Sequence, residues 1–253
     1  MQLEWEIQVC PDELMILLRG ASICGQLIRE AFPDVPSTGD YADPHGEYSY
    51  ALSLLQTSGL AERIGYLLRT LAGAQLLPCH PARGFALDWD ILPGQVERRT
   101  ALGQLLYEYK QAERYGHAVE LAHHLARFIR RHPLHYTCDF LVPVPDNDRS
   151  RPFDLTSRVG ELTASLVQLP VLCNLLQRTR PSRRQCELKS LDEKLANVAG
   201  LYRCLNPSLI AGRSLLVLDD IHDSGATVSE VTRMLLAAGA ESCSVLTAVR
   251  TRD

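Results

Sequence analysis

Residues 214–227 constrain the fold of this chain more than any other stretch. An apolar run, Leu215-Leu216-Val217-Leu218, ends in two adjacent carboxylates, Asp219 and Asp220. A short loop follows, Ile221-His222-Asp223-Ser224-Gly225, and a helical pattern begins directly after it at Ala226-Thr227. A short apolar run bounded by turn residues reads as a buried strand. Strand, tight loop and helix in that order belong to an α/β sheet. In such sheets ligands bind at the C-terminal edge of the strands. A helix N-terminus presents unpaired N–H groups and the positive end of its dipole, which suits a phosphate. Gly225 lets the backbone approach that phosphate, and the hydroxyls of Ser224 and Thr227 add donors. The same phosphate repels Asp219 and Asp220. They must therefore serve another part of the ligand, such as sugar hydroxyls or a bound Mg²⁺.

The downstream pattern agrees. Residues 139–144 (DFLVPV), 171–176 (VLCNLL), 214–219 and 242–249 read as strands, and 154–168 and 226–239 as helices. Alternation of this kind predicts a largely parallel sheet flanked by helices. Upstream, residues 12–32 read as one amphipathic helix with Asp12 as N-cap, ended by Phe32-Pro33. Residues 33–46 read as a loop. Residues 47–77 read as two helices broken at Ser58-Gly59, from the recurrence of Tyr50, Leu54, Leu55, Ile64, Leu67, Leu68 and Leu71. Residues 78–95 hold three prolines and two glycines and read as a linker, followed by helices at about 96–113 and 117–132. The expected organisation is a helical N-terminal region, 1–95, and an α/β domain, 96–253.

Composition excludes some classes. The formal net charge of −4 gives no global basic footprint for nucleic-acid binding. No apolar run reaches the ~18 residues of a membrane span, and the acidic start MQLEWEIQVC lacks a signal peptide's apolar segment. The eight cysteines form no C-x-x-C pair, so reduced thiols in a cytoplasmic protein are expected.

Two acids at a strand end followed by a turn also occur in receiver domains and in nucleotide-hydrolase metal sites. The whole run 215–227 is more specific. It resembles the binding motif for phosphoribosyl pyrophosphate (PRPP) in type I phosphoribosyltransferases: three apolar residues, two acids, three variable residues, a small residue or Thr, Gly, any residue, and Ser or Thr. Ser224 stands where threonine is usual. Leu141-Val142-Pro143-Val144-Pro145 with Arg149-Ser150-Arg151-Pro152-Phe153-Asp154 resembles the valine-proline strand and loop of ComF-type competence proteins, whose loop reads Arg-Gly-Phe-Asn. Arg178-Thr179-Arg180, Gln185, Leu188, Lys194, Asn197, Gly200 and Tyr202 follow that family's order, with Lys194 in place of an arginine. The resemblance spans about residues 100–250. The four-cysteine zinc module that commonly opens those proteins is absent from the sequence.

The resemblance implies a type I phosphoribosyltransferase fold and displacement of pyrophosphate from C1 of PRPP by a nitrogen nucleophile, with Mg²⁺ as cofactor and a nucleobase-like acceptor. Asp219 and Asp220 would meet the ribose hydroxyls and the Mg²⁺ carried by PRPP. Residues Asp223, Ser224, Gly225, Ala226 and Thr227 would hold the 5-phosphate. Arg149, Arg151, Arg178, Arg180 and Gln185 are candidates for the pyrophosphate or a lid. Asp223 aligns with an acid proposed as the base at purine N7 in hypoxanthine-guanine enzymes, or it is a polar cap. Arg178, Arg180, Arg183 and Arg184 form a mobile lid, a solvated turn, or a nucleic-acid contact without interleaved aromatics. His222 reads as a loop surface residue. Three functions stay open: an enzyme, a PRPP sensor without turnover, and a DNA-processing accessory protein. A homodimer is compatible with each. Pro152 favours the latter two, because proline lacks both the N–H and the positive φ of glycine.

Overall fold

The computed structural model describes residues 4–19, 28–29, 31–32, 34–41, 50–72, 74–77, 83–95, 98–111, 114–132, 138–146 and 153–251. The chain divides into two compact units. The first takes residues 1–74 with 131–133, and the second takes 75–130 with 134–253.

The first unit corrects the helical expectation for residues 1–95. It holds an antiparallel sheet in the order β1-β2-β4-β3, built from β1 (Glu4–Val9), β2 (Glu13–Arg19), β3 (Ser37–Tyr41) and β4 (Tyr50–Leu55). A helix, α1 (Leu60–Ala72), accompanies it, and Ile28, Arg29 and Ala31 are also helical. In β2, Leu14, Ile16 and Leu18 are fully buried while Met15 and Leu17 are half-buried. That is a period of two, as a strand requires. Apolar residues at all five positions conceal it, and Leu14 and Leu18 also satisfy a helical i, i+4 spacing. The loop expected over 33–46 contains β3. Ser58-Gly59 separates a strand from a helix, not two helices. The α1 helix itself follows the predicted spacing, with Leu60, Ile64, Leu67, Leu68 and Leu71 buried.

The second unit is α/β, with a largely parallel sheet flanked by helices. Its sheet runs β5-β6-β11-β10-β7, from β5 (Gln75–Leu77), β6 (Arg83–Trp89), β7 (Phe140–Pro143), β10 (Ser214–His222) and β11 (Ser242–Arg250). β6, β11, β10 and β7 are mutually parallel, and β5 is antiparallel at one edge. The expected linker at 78–95 therefore contains a sheet strand, and the division between units falls at residues 74 and 75. Prolines on both sides of Arg83–Trp89, with Gly84 inside it and Gly94 after it, gave the stretch a loop's composition, although Phe85 and Ala86 are buried.

Helices cover both faces of this sheet. On one face, α6 (Ala226–Ala237) packs Val228, Val231 and Leu235 into a core shared with Leu215, Val217 and Val245. On the other lie α2 (Ala101–Lys110), α3 (His117–Arg131) and α4 (Leu155–Val167). There Leu106, Tyr109, Leu121, Leu155 and Val159 line a small cavity of about 20 Å³ with Leu218 and Ala248. Leu215, Leu216, Val217 and Leu218 are all buried, as a strand covered on both faces demands. A separate ribbon, β8 (Leu176–Arg178) with β9 (Tyr202–Cys204), carries α5 (Leu191–Val198) between its strands. The strand expected at 171–176 thus begins later; Val171 makes only an isolated bridge to Leu141. Among the described residues no helix is long and apolar enough to cross a membrane.

Candidate functional site

The parallel strands of the second unit end on one edge, and a cavity of about 630 Å³ opens there. β10 brings Asp219 and Asp220 to its wall, and the loop 221–225 continues it to the start of α6. Gly225 takes φ 78°, a left-handed conformation that glycine adopts without steric cost. It caps α6, whose first residues Ala226 and Thr227 also line the cavity. Ser224 Oγ accepts the Ala226 N–H at 3.4 Å. The helix N-terminus therefore faces the cavity, as the sequence led one to expect.

The carboxylates are held by elements distant in sequence. Asp219 Oδ1 accepts the Asp220 N–H at 2.9 Å. Burial and the adjacent Asp220 charge push the Asp219 carboxyl well above the usual carboxylate range. Asp220 Oδ2 accepts from Thr156 Oγ1 of α4 at 3.3 Å and is ion-paired with Lys110 of α2. Burial works against the Lys110 charge, but Asp220, Asp146 and Asp219 outweigh it and raise its pKa.

The α2 helix is fixed where it needs to be for this contact. Thr100 caps it by accepting the Gly103 N–H at 3.0 Å. A Cβ at Gly103 would lie 2.1 Å from the carbonyl oxygen of Asp90, so only glycine lets the helix sit this close to the chain leaving β6. Tyr109, fully buried, donates to the Leu155 carbonyl at 3.1 Å.

Asp223 has both oxygens engaged: Oδ1 accepts from Thr251 Oγ1 at 2.8 Å, and Oδ2 is ion-paired with Lys194 of α5. His222, expected on the surface, is 2% exposed, because β10 continues past the two acids to include it.

Arg178, Arg183, Arg184 and Gln185 also line the cavity. Arg178 sits 5.6 Å from the Tyr202 ring centroid and contacts Ser182. Both amide atoms of Gln185 are buried without a hydrogen-bond partner. Arg180 is directed elsewhere: its guanidinium donates to the Asn197 and Ala199 carbonyls, each at 3.1 Å. Arg149 and Arg151 lie outside the described residues. Asp154, which follows them in sequence, caps α4 by accepting the Ser157 N–H at 2.7 Å and accepts the Asp146 N–H at 2.6 Å.

Sequence reasoning missed Lys110, Thr156 and Thr251 altogether, and it took Lys194 for a pattern position only. No local signal marks them. Lysine near a helix C-terminus is an ordinary choice on dipole grounds, and Lys110 meets a carboxylate 110 residues away.

No protein-family model matches the chain, and no curated protein does either. Among solved structures, the chain is similar to the glutamine PRPP amidotransferase from B. subtilis complexed with ADP and GMP, at 14% identity and a TM-score of 0.40. That match covers 97% of this chain and 48% of the other. A structure described as the allosteric regulatory enzyme of purine biosynthesis is similar at 14% identity and a TM-score of 0.40, covering 96% and 46%. The chain thus spans about half the length of these structures.

Proposed function

We propose that the second unit binds PRPP and transfers its phosphoribosyl group to a nitrogen nucleophile of nucleobase type. The new bond joins that nitrogen to C1 of the ribose, and the C1–O bond to pyrophosphate breaks. One observation carries this reading: two carboxylates and a helix N-terminus, joined by five residues, face a single cavity at the C-terminal edge of the parallel sheet.

The chain's own groups divide the ligand by charge. The α6 N-terminus, with Ser224, Gly225 and Thr227, takes the 5-phosphate. Asp219 and Asp220 accept the ribose hydroxyls. Arg178, Arg183 and Arg184 meet the pyrophosphate, where planar guanidinium groups suit bidentate contacts. Precise placement of C1 and stabilisation of the departing charge are the main sources of rate. Among the described residues no group of three or more His, Cys, Asp or Glu side chains could cage a metal ion. Mg²⁺ would enter as a companion of the ligand's own oxygens, with Asp219 or Asp220 as a protein contact. When bound, it would neutralise charge on the pyrophosphate. The free thiols at Cys138, Cys173, Cys204 and Cys243 support a cytoplasmic setting.

A sensor that binds PRPP without turnover is the second reading. The engagement of both Asp223 oxygens favours it, because a carboxylate held by Lys194 and Thr251 is already committed to the protein's own donors. Replacing both acids, Asp219→Asn with Asp220→Asn, should weaken PRPP binding several-fold or more in calorimetry with Mg²⁺. Equal affinity in the double variant would overturn the site. Release of labelled pyrophosphate with a panel of bases then separates enzyme from sensor.

A further inference from the structure

Lys110 has no place in the division of labour given above, yet it is the cation at the centre of the acidic wall. Its side chain is 16% exposed and reaches the cavity from the last turn of α2. Three carboxylates act on it: Asp220 by direct contact, with Asp146 and Asp219 nearby. A buried ammonium this well fixed is costly to maintain unless it is paired.

Its effect on the two aspartates is geometric. Lys110 and Thr156 both engage Oδ2 of Asp220, which leaves Oδ1 to accept from a ligand. Asp219 Oδ1 is taken by the Asp220 N–H, which leaves Oδ2. Each carboxylate thus offers one oxygen, and both residues line the same cavity. Two acceptors in fixed relation match a ligand with two neighbouring hydroxyls.

We propose that Lys110 is a positioning residue that orients Asp220 so that the acid pair reads the 2,3-diol of a ribose phosphate, and thereby sets the preference for ribose over 2-deoxyribose. The inference rests on the phosphoribosyl reading of the cavity. Lys110 acts through Asp220, whose carboxylate it contacts directly. Without it, Asp220 keeps only the longer bond from Thr156, and its carboxylate is free to turn away from the diol.

The test uses the full chain, calorimetry, and two probes: ribose 5-phosphate and 2-deoxyribose 5-phosphate. The parent should prefer the ribose form by roughly ten- to a hundredfold, the range for a hydrogen bond to a charged acceptor. Lys110→Met should bind both sugars with nearly equal affinity, and Lys110→Arg should restore part of the preference. If Lys110→Met does not fold, Lys110→Gln, which keeps a donor but no charge, should still reduce the preference several-fold. A role in stability alone would lower both affinities together and keep their ratio. An unchanged ratio in the folded neutral variants overturns the inference while leaving the phosphoribosyl site standing. Failure of the parent to bind either sugar phosphate would remove that site, and this inference with it.

Discussion

At Asp154 one carboxylate closes two structures. Oδ1 caps α4 through the Ser157 N–H, and Oδ2 holds the Asp146 N–H at the end of the segment after β7. The sequence departs from the resembled pattern here, with aspartate for asparagine, and the geometry gives the reason. Only a carboxylate offers two acceptor oxygens. Asp154→Asn keeps one acceptor and should lower the unfolding free energy by about 1 kcal/mol; Asp154→Ala loses both and should cost about 2 kcal/mol. Urea unfolding of the two variants checks the order, and equal midpoints would show that the second bond contributes nothing. Other residues were less legible. The stretch 219–227 could be singled out because all of it lies in one run of sequence, and the fold brings its residues to one cavity. Lys110 and Thr251 did not, because each becomes meaningful only against a partner brought to it by the fold.

The segment 178–198 shows what an element adds to a list of charges. Over residues 178–193, four arginines and few apolar side chains read as a stretch unable to order itself without a ligand. In the structure it is tied back on itself. Asn197 accepts the Arg183 N–H at 3.2 Å and donates to the Arg183 carbonyl at 3.0 Å. Ser190 and Glu193 form a capping box at the start of α5. Glu230 of α6 accepts the Gly200 N–H at 2.8 Å, fastening the far end. Asn197→Ala removes the central clasp and should raise the rate of trypsin cleavage at residues 180–184 several-fold; digestion at the parent rate would show that the clasp does not order the turn. The same contrast explains the strand errors upstream. Periodicity identified α1, where one face is polar, but it failed for β2 and β6. There, apolar residues on both faces or turn residues on both flanks erase the alternation.

For the whole molecule, acid stability follows from burial at the end of α3. His132 is 1% exposed, and burial pushes its pKa down to about 3. The folded value lies below the unfolded one of about 6.5. Its contribution is therefore complete above pH 6.5 and declines as pH falls toward 3, by about 1.4 kcal/mol per unit. Unfolding at pH 5 should show about 2 kcal/mol less stability than at pH 7.5 from this group, a loss that His132→Gln abolishes. An identical pH slope in that variant would place the effect elsewhere. The charges around the large cavity have a different consequence. Its described lining interleaves Lys110, Lys194, Arg178, Arg183 and Arg184 with Asp146, Asp219, Asp220 and Asp223. Among the described residues, signs mixed in this way do not sum to an electrostatic funnel. Such a site gathers a polyanion weakly from a distance and distinguishes its parts strongly on contact, so ionic strength governs how the ligand is held far more than how fast it arrives.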